Sequence, residues 1–274
     1  MSLIDVQNNS HLLNQLYNQY DLTMIAGAGH LTDKLGDVYE HFVLKIFEDK
    51  RVAMSWAVGT VERYIVDALL FKLGFTFNDI VGLKASNDGI PLTARNGTPK
   101  TDVYLTFDLT DGSTHLTPIS VKQSTVRKVA IAEYRVEDIV TALNIQDPTL
   151  IQLLIKHQRD ASAINFSLAE KLQLTALLAP HADSLIRWCL TLNPNRTVQD
   201  ILHPEYLIRF SLNHPSKFPN QRYCFNLVEV YSIDEYIYSI RYTANGALKA
   251  GGFGTGLSWT YATGSKGTKI QLKG

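Results

Sequence analysis

Asp102, Ser120 and Lys122 are the side chains whose types and spacing could do chemistry. Asp102 follows Thr98-Pro99-Lys100-Thr101 and opens an alternating run, Val103 to Leu109. The turn Thr110-Asp111-Gly112-Ser113 separates it from a second alternating run, His115 to Lys122. Period-two alternation on both sides of an Asp-Gly turn predicts a β-hairpin. Asp102 then enters the first strand, and Ser120 and Lys122 share one face of the second, since residues two apart point the same way. A carboxylate and an amine can thus converge at one end of a sheet. The plain alternative is a solvated hairpin, because many hairpins carry an Asp and a Lys.

The pattern resembles the nuclease motif PD-(D/E)xK. In that motif the first Asp and an acid on the second strand hold a divalent metal, and the Lys two residues after that acid positions or activates the attacking water. The chemistry explains the residue types: a phosphodiester needs a hard cation on its non-bridging oxygen, a deprotonated water in line and charge relief for the leaving oxygen. The departure is Ser120, a neutral residue in the acid slot. An early helix of that fold often supplies a Glu near the metal. Glu40 lies on a predicted helix and reads either as that acid or as a solvated helix carboxylate.

Several elements must hold these groups. Leu12, Leu13, Leu16 and Tyr17 recur at helical spacing within residues 1–24, and Gly27-Ala28-Gly29 predicts a break. A helix then starts at Thr32-Asp33, with Leu35, Val38, Tyr39, Phe42, Val43 and Ile46 on one stripe. A further helix is predicted over 56–73, a short mixed stretch over 80–87, and a turn-rich loop from Asp88 to Pro99. Downstream, the periodicity predicts helices over 136–144, 148–160 and 167–179, then a buried segment from Leu185 to Leu192. Strands are predicted from His203 to Leu212 and from Tyr223 to Tyr231, with Pro215 and Pro219 in the turn between. His157, His181 and His203 lack metal-ligand spacing and read as surface or helix-end histidines.

The chain of 274 residues is 45% apolar and 19% charged, which is ordinary for a globular protein, and its formal net charge is zero. DNA binding therefore needs a local basic surface. No run approaches a transmembrane length and no signal segment opens the chain, so the expected location is cytoplasmic. Cys189 and Cys224 read as reduced, buried thiols. Two stretches suit DNA. After Lys122, the run Gln123 to Val129 includes Gln123, Ser124, Arg127 and Lys128, which can contact phosphates and base edges. From Tyr236 to Gly274 there are five basic residues, Arg241, Lys249, Lys266, Lys269 and Lys273, and no acid. This segment contains Gly251-Gly252-Phe253-Gly254-Thr255-Gly256, which lacks the GxxxxGKS pattern of a nucleotide loop but suits close approach to DNA phosphates.

Along nearly its whole length the sequence resembles the type II restriction endonucleases. The resemblance is carried by Pro99 to Asp102, Val129 to Tyr134, Lys156-His157-Gln158, Ile186 to Cys189, Leu207 to Phe210 and the unusual block Gly252 to Lys266. It implies a Mg²⁺-dependent enzyme that cuts double-stranded DNA at a short palindrome, CCGG. The implied fold is α/β and PD-(D/E)xK nuclease-like, with a mixed central β-sheet flanked by helices. It is expected as a single domain over 1–274, with a DNA-reading C-terminal segment at about 241–274. Asp102, Ser120 and Lys122 become the catalytic positions. Asp102, the Val121 carbonyl and Glu40, the last through water, become the metal positions.

The family pattern has Asn in the Ser120 slot, His at Gln123 and Ser at Ala130, so the roles of those groups do not carry over unchanged. Base reading is assigned to Thr260, Thr263, Gln271 and Lys273, with Arg127 and Lys128 nearby; Ser265, Lys266 and Lys269 complete the DNA-binding set, the lysines as phosphate ligands. The implied partners are duplex DNA and a cognate DNA methyltransferase. No membrane association is expected, and the enzyme is expected as a monomer or weak dimer. Two alternatives stand beside this reading: a DNA-binding module whose metal site has decayed, favoured by Ser120, and a repair or junction nuclease of looser specificity.

Overall fold

Alternation around the Asp-Gly turn builds the hairpin that organises the first half of the molecule. The computed structural model describes residues 10–20, 28–93, 96–124, 126–195, 200–212 and 225–274. Its strands are β1 (Ile80–Ser86), β2 (Val103–Leu109), β3 (Thr114–Ser124), β4 (Ala130–Tyr134), β5 (Tyr206–Leu212), β6 (Phe225–Ser232), β7 (Ser258–Thr260) and β8 (Ile270–Lys273). β2 and β3 pair antiparallel, with Val103 opposite Ile119 and Phe107 opposite His115. Gly112, at φ 83°, closes the turn in a conformation that glycine adopts without strain.

The chain falls into two compact units, Met1–Arg127 with Val198–Ser232, and Lys128–Thr197 with Ile233–Gly274. The first is built on a five-stranded mixed sheet of order β1-β2-β3-β5-β6. All neighbours are antiparallel except β3 and β5, which run parallel. Helices α1 (His11–Gln19), α2 (Ala28–Ile46), α3 (Lys50–Ser55) and α4 (Val61–Leu73) belong to this unit. The predicted stripe of α2 is buried in full, and Tyr39 and Phe42 bring their rings to 4.5 and 6.0 Å from that of Phe210. Each such side chain contributes about 1.5–3 kcal/mol on burial. Thr60 caps α4 by accepting the Arg63 N–H, and Gly74 ends it in the left-handed region.

The second unit holds α5 (Val136–Ala142), α6 (Pro148–Asp160), α7 (Leu168–Leu178), α8 (Ala182–Thr191) and α9 (Ile233–Arg241), with a three-stranded antiparallel sheet of order β4-β8-β7. Asp147 and Pro148 start α6, and a reciprocal Ser167–Glu170 capping box starts α7. The protein is therefore α/β with a mixed sheet and flanking helices, as the resemblance implied. Among the described residues no helix is long and apolar enough to cross a membrane.

Four expectations are corrected. The second helix begins at Ala28 and not at Thr32-Asp33, separate from α1, which ends at Gln19. The helix over 56–73 begins only at Val61, since Thr60 provides its cap. The mixed stretch 80–87 is an edge strand, β1; with one face open to solvent, Val81 is exposed and its apolar pattern is broken. His157 is not a surface histidine but is 1% exposed, ringed by Phe166, Phe253 and Trp259 at 6.2, 5.8 and 5.6 Å, and burial pushes its pKa down to about 4. Cys189 is buried, as expected for a reduced thiol. Cys224 and the expected turn with Pro215 and Pro219 lie outside the described residues.

The glycine-rich block folds as a tight turn against its own unit. A Cβ on Gly256 (φ 76°) would lie 2.0 Å from the Ile240 carbonyl oxygen, and one on Gly252 (φ 58°) would lie 1.9 Å from that of Leu257. These two glycines are required by the protein's own backbone, independently of any DNA. Gly256→Ala is expected to destabilise the protein by more than about 1 kcal/mol, whereas Gly251→Ala, where a Cβ meets nothing within 4 Å, is expected to be near neutral. Urea unfolding of the two variants checks this; equal midpoints would remove the packing role of Gly256.

Candidate active site

β3 is the central strand of the large sheet, and its middle is buried without interruption from Thr117 to Val121. The alternation expected for a half-exposed strand ends there, because a central strand covered on both faces has no solvent side. Ser120 is fully buried and Lys122 emerges at the end of this run, with side-chain exposure of 21%. Asp102 lies immediately before β2, and its N–H donates to the Ile119 carbonyl at 2.9 Å.

The three predicted catalytic residues meet at one atom. Asp102 Oδ2 accepts from Ser120 Oγ at 2.9 Å, from the Val121 N–H at 2.7 Å and from Lys122 Nζ at 2.9 Å. Lys122 Nζ also donates to the Val121 carbonyl at 3.0 Å. Ser120 therefore serves the carboxylate directly: buried between strands, its hydroxyl helps to aim Asp102. The lysine ammonium bridges the Asp102 carboxylate and the Val121 carbonyl, two oxygens that the resemblance assigns to a cation.

Glu40 stands near this cluster on α2. Its pKa is raised to about 7, first by burial, then by the charge of Asp102, with Lys122 opposing and Asp37 adding a smaller rise. Glu40 thus feels the Asp102–Lys122 pair and is no ordinary solvated helix acid. Among the described residues no three His, Cys, Asp or Glu side chains gather as a metal site. The oxygens of Asp102, Val121 and Glu40 nonetheless suit a hard divalent ion, which takes carboxylate and carbonyl ligands and fills its shell with water or phosphate oxygens. An ammonium bridging two of those oxygens marks a position that favours positive charge.

The expected DNA-binding residues fall into distinct groups. Gln123 and Ser124 end β3, and Ser124 Oγ accepts the Val126 N–H at 3.1 Å. Arg127 is exposed, and its carbonyl accepts from the Arg209 guanidinium. Lys128 is turned inward, donating to the Gly256 carbonyl at 2.6 Å. In the tail, Arg241 is buried against Asp183 at 2.6 Å and Lys249 donates to the Ser239 carbonyl at 2.6 Å, so neither is an open cation. Ser265 is also buried, its hydroxyl donating to the Ala262 carbonyl at 3.2 Å, and it shapes its turn instead of facing outward. Thr263 and Lys266 are exposed, and Lys269 is half-buried.

Gln271 and Lys273 lie on β8, where Ile270 and Leu272 are buried and the two polar residues alternate with them. They share one face of the small sheet. Thr260 of β7 pairs with Gln271, and Ser258 pairs with Lys273.

Arg209 lies beside the cluster and was not among the expected residues. It pairs with Lys122 in the parallel β3–β5 ladder, and its Nε is buried without a hydrogen bond among the described residues. No local spacing links the two; only the block Leu207 to Phe210, which carried the resemblance, pointed to it.

A family model described as restriction endonuclease MspI matches residues 23–274. The type II restriction enzyme MspI of Moraxella sp is 36% identical over 269 residues, covering 97% of this chain and 99% of that protein. The type II restriction enzyme BsuFI of Bacillus subtilis is 26% identical over 246 residues, covering 89% of this chain and 56% of its own length. The crystal structure of MspI in complex with its cognate DNA superposes with a TM-score of 0.84 at 36% identity, covering 97% of this chain and 99% of that one.

Glu40 generates a pH signature. Between the ordinary carboxylate value of 4.5 and about 7, the folded protein holds a proton on Glu40 that the unfolded chain has released. Stability contributed by this group is present below that window and is lost as pH rises through it. Glu40→Gln is expected to flatten this part of the profile. Denaturant unfolding of both proteins across the window checks this, and parallel profiles would place Glu40 in solvent.

Proposed function

Because this chain belongs to the MspI restriction endonuclease family, and is a type II restriction endonuclease that cleaves DNA at specific sites, we propose that hydrolysis takes place at the Asp102–Ser120–Lys122 cluster. The observation that carries this reading is the convergence of Ser120, Val121 and Lys122 on Asp102 Oδ2. The substrate is duplex DNA at a short palindrome, with CCGG as the proposed target. The cofactor is a divalent cation, which we take to be Mg²⁺.

Asp102, the Val121 carbonyl and, through water, Glu40 are the residues that would hold the ion. When bound, such an ion neutralises phosphate charge and lowers the pKa of a coordinated water. The chain's own residues do the rest. The Ser120 hydroxyl and Val121 N–H fix the rotation of the Asp102 carboxylate. Lys122 supplies N–H donors and a positive charge for water and phosphate oxygens at the end of β3. Burial of Ser120 and Val121 keeps the base of the cluster dry, which strengthens these interactions.

In this reading Gln123, Ser124 and Arg127 face the backbone or base edges near the cut. Lys128 and Ser265 act from behind, holding the loops they bond. Thr260, Thr263, Gln271 and Lys273 read bases, while Lys266 and Lys269 meet the sugar-phosphate backbone. All of residues 1–274 act together as one cytoplasmic endonuclease, a monomer or weak dimer, whose genetic partner is a DNA methyltransferase protecting the same site.

Digestion of plasmid DNA tests the catalytic assignment. Wild type is expected to give a discrete fragment pattern with Mg²⁺ and none with EDTA. Asp102→Ala is expected to abolish cutting while DNA binding in Ca²⁺ persists, and Lys122→Ala to slow cutting on the order of a hundredfold or more. Cutting by Asp102→Ala near the wild-type rate would remove the cluster from the mechanism.

Recognition is tested by salt dependence. Lys273→Ala is expected to weaken binding to the cognate duplex by about 1–3 kcal/mol, with a smaller effect on random duplex. Lys269→Ala is expected to weaken both alike and to reduce the salt slope by about one unit. A uniform loss with a shallower slope for Lys273→Ala would make it a phosphate clamp.

A further inference from the structure

The small sheet that carries Gln271 and Lys273 has a third contributor that the sequence did not single out. β4 pairs antiparallel with β8, placing Glu133 directly opposite Gln271 and Ala130 opposite Lys273, with a bulge between Ala130 and Ala132. β7 completes both rows from the other side with Thr260 and Ser258. Side chains opposite each other in a ladder project from the same face, with Cβ atoms roughly 5 Å apart.

Burial confirms the sidedness. Ala132 and Leu272 are buried, and Ile270 is buried opposite Tyr134, whose ring lies 4.1 Å from that of Trp188. The other face therefore carries Glu133, Gln271 and Thr260 in one row, and Ala130, Lys273 and Ser258 in the next.

Glu133 is the one acid in these three strands, and from Tyr236 to the last residue there is none. It is half-buried, and among the described residues it has neither an ion pair nor a hydrogen bond. A carboxylate on a face that meets DNA is repelled by every phosphate it approaches. It is favourable where its acceptor-only oxygens meet a base-edge donor, and in the major groove the donor on a G·C pair is the cytosine N4 amino group. Beside it, Lys273 offers donors only and suits the O6 and N7 acceptors of guanine.

We propose that Glu133 is a specificity-determining residue that reads a cytosine by accepting from its N4 amino group. Glu133 and Lys273 then form an acceptor–donor pair matched to the two edges of G·C pairs. This rests on the reading of the Gln271–Lys273 face as the base-reading surface. It also extends that reading, because it attaches a chemical preference to one base and supplies it from β4, outside the C-terminal segment.

The test measures binding of the full chain in Ca²⁺ to the cognate duplex and to duplexes in which each base pair is replaced in turn. Wild type, Glu133→Gln, Glu133→Ala and Lys273→Ala are compared. Glu133→Ala is expected to reduce discrimination at a C·G pair by about tenfold, and Glu133→Gln, whose amide oxygen still accepts, by less, with the salt slope unchanged and the other positions still discriminated. Glu133→Gln keeps the shape of the side chain and one acceptor oxygen, so a loss in Glu133→Ala that Glu133→Gln partly restores, at unchanged thermal midpoint, separates base reading from a folding defect. If both variants bind all duplexes more tightly by a common factor, Glu133 is a repelling surface acid and the proposal is overturned. If Lys273→Ala loses discrimination while the Glu133 variants keep it, Glu133 is excluded and the face still reads bases. If none of the variants loses discrimination, the reading of the face itself fails.

Discussion

One carboxylate oxygen, Asp102 Oδ2, ties together the parts on which the candidate site depends. It takes a hydroxyl, a backbone N–H and an ammonium from three successive residues of β3. Such an acceptor can be satisfied this way only if Asp102 sits at the mouth of the hairpin and β3 is held straight and in register. The β2–β3 ladder meets the first requirement and the β3–β5 ladder the second. The neutral residue in the acid slot then has a physical account. A second carboxylate at the buried Ser120 position would face Asp102 at hydrogen-bonding distance, at a like-charge cost that a hydroxyl avoids.

Much of this was legible in the sequence because the signals are local. The hairpin rests on alternation and an Asp-Gly turn, and α2 rests on a stripe of six apolar residues that the structure buries completely. What was not legible depends on distant partners. Nothing near Lys122 indicates that Arg209 lies beside it, since parallel pairing leaves no turn to read. β1 was missed because an edge strand needs only one apolar face. His157 resembles any helix-end histidine until the aromatic residues that enclose it are brought together from positions 166, 253 and 259.

The tail shows how composition can mislead. Counting five cations without an acid suggested a broad basic surface. Two of the five are internal: Arg241 pairs with Asp183 and Lys249 bonds the Ser239 carbonyl. Lys266, Lys269 and Lys273 remain outward, on or beside a short sheet whose alternation does the sorting. The glycines, which suggested close approach to a ligand, are needed where Gly252 and Gly256 pass the carbonyls of Leu257 and Ile240. A chain with zero net charge can thus hold part of a basic segment inside and the rest on a polar face.

The parallel pairing of β3 with β5 also governs when the Asp102–Lys122 cluster can be completed. β5 begins about eighty residues after β3 ends, so a chain emerging from the ribosome displays Asp102 and Lys122 long before the second edge of their strand can be filled. Contacts between positions so far apart form late, because a long loop must close before they return any energy. Until then β3 lacks the neighbour that buries its middle, and Ser120 and Val121 stay wet. By topology alone, completion of the Asp102–Lys122 cluster is deferred until β5 has been made.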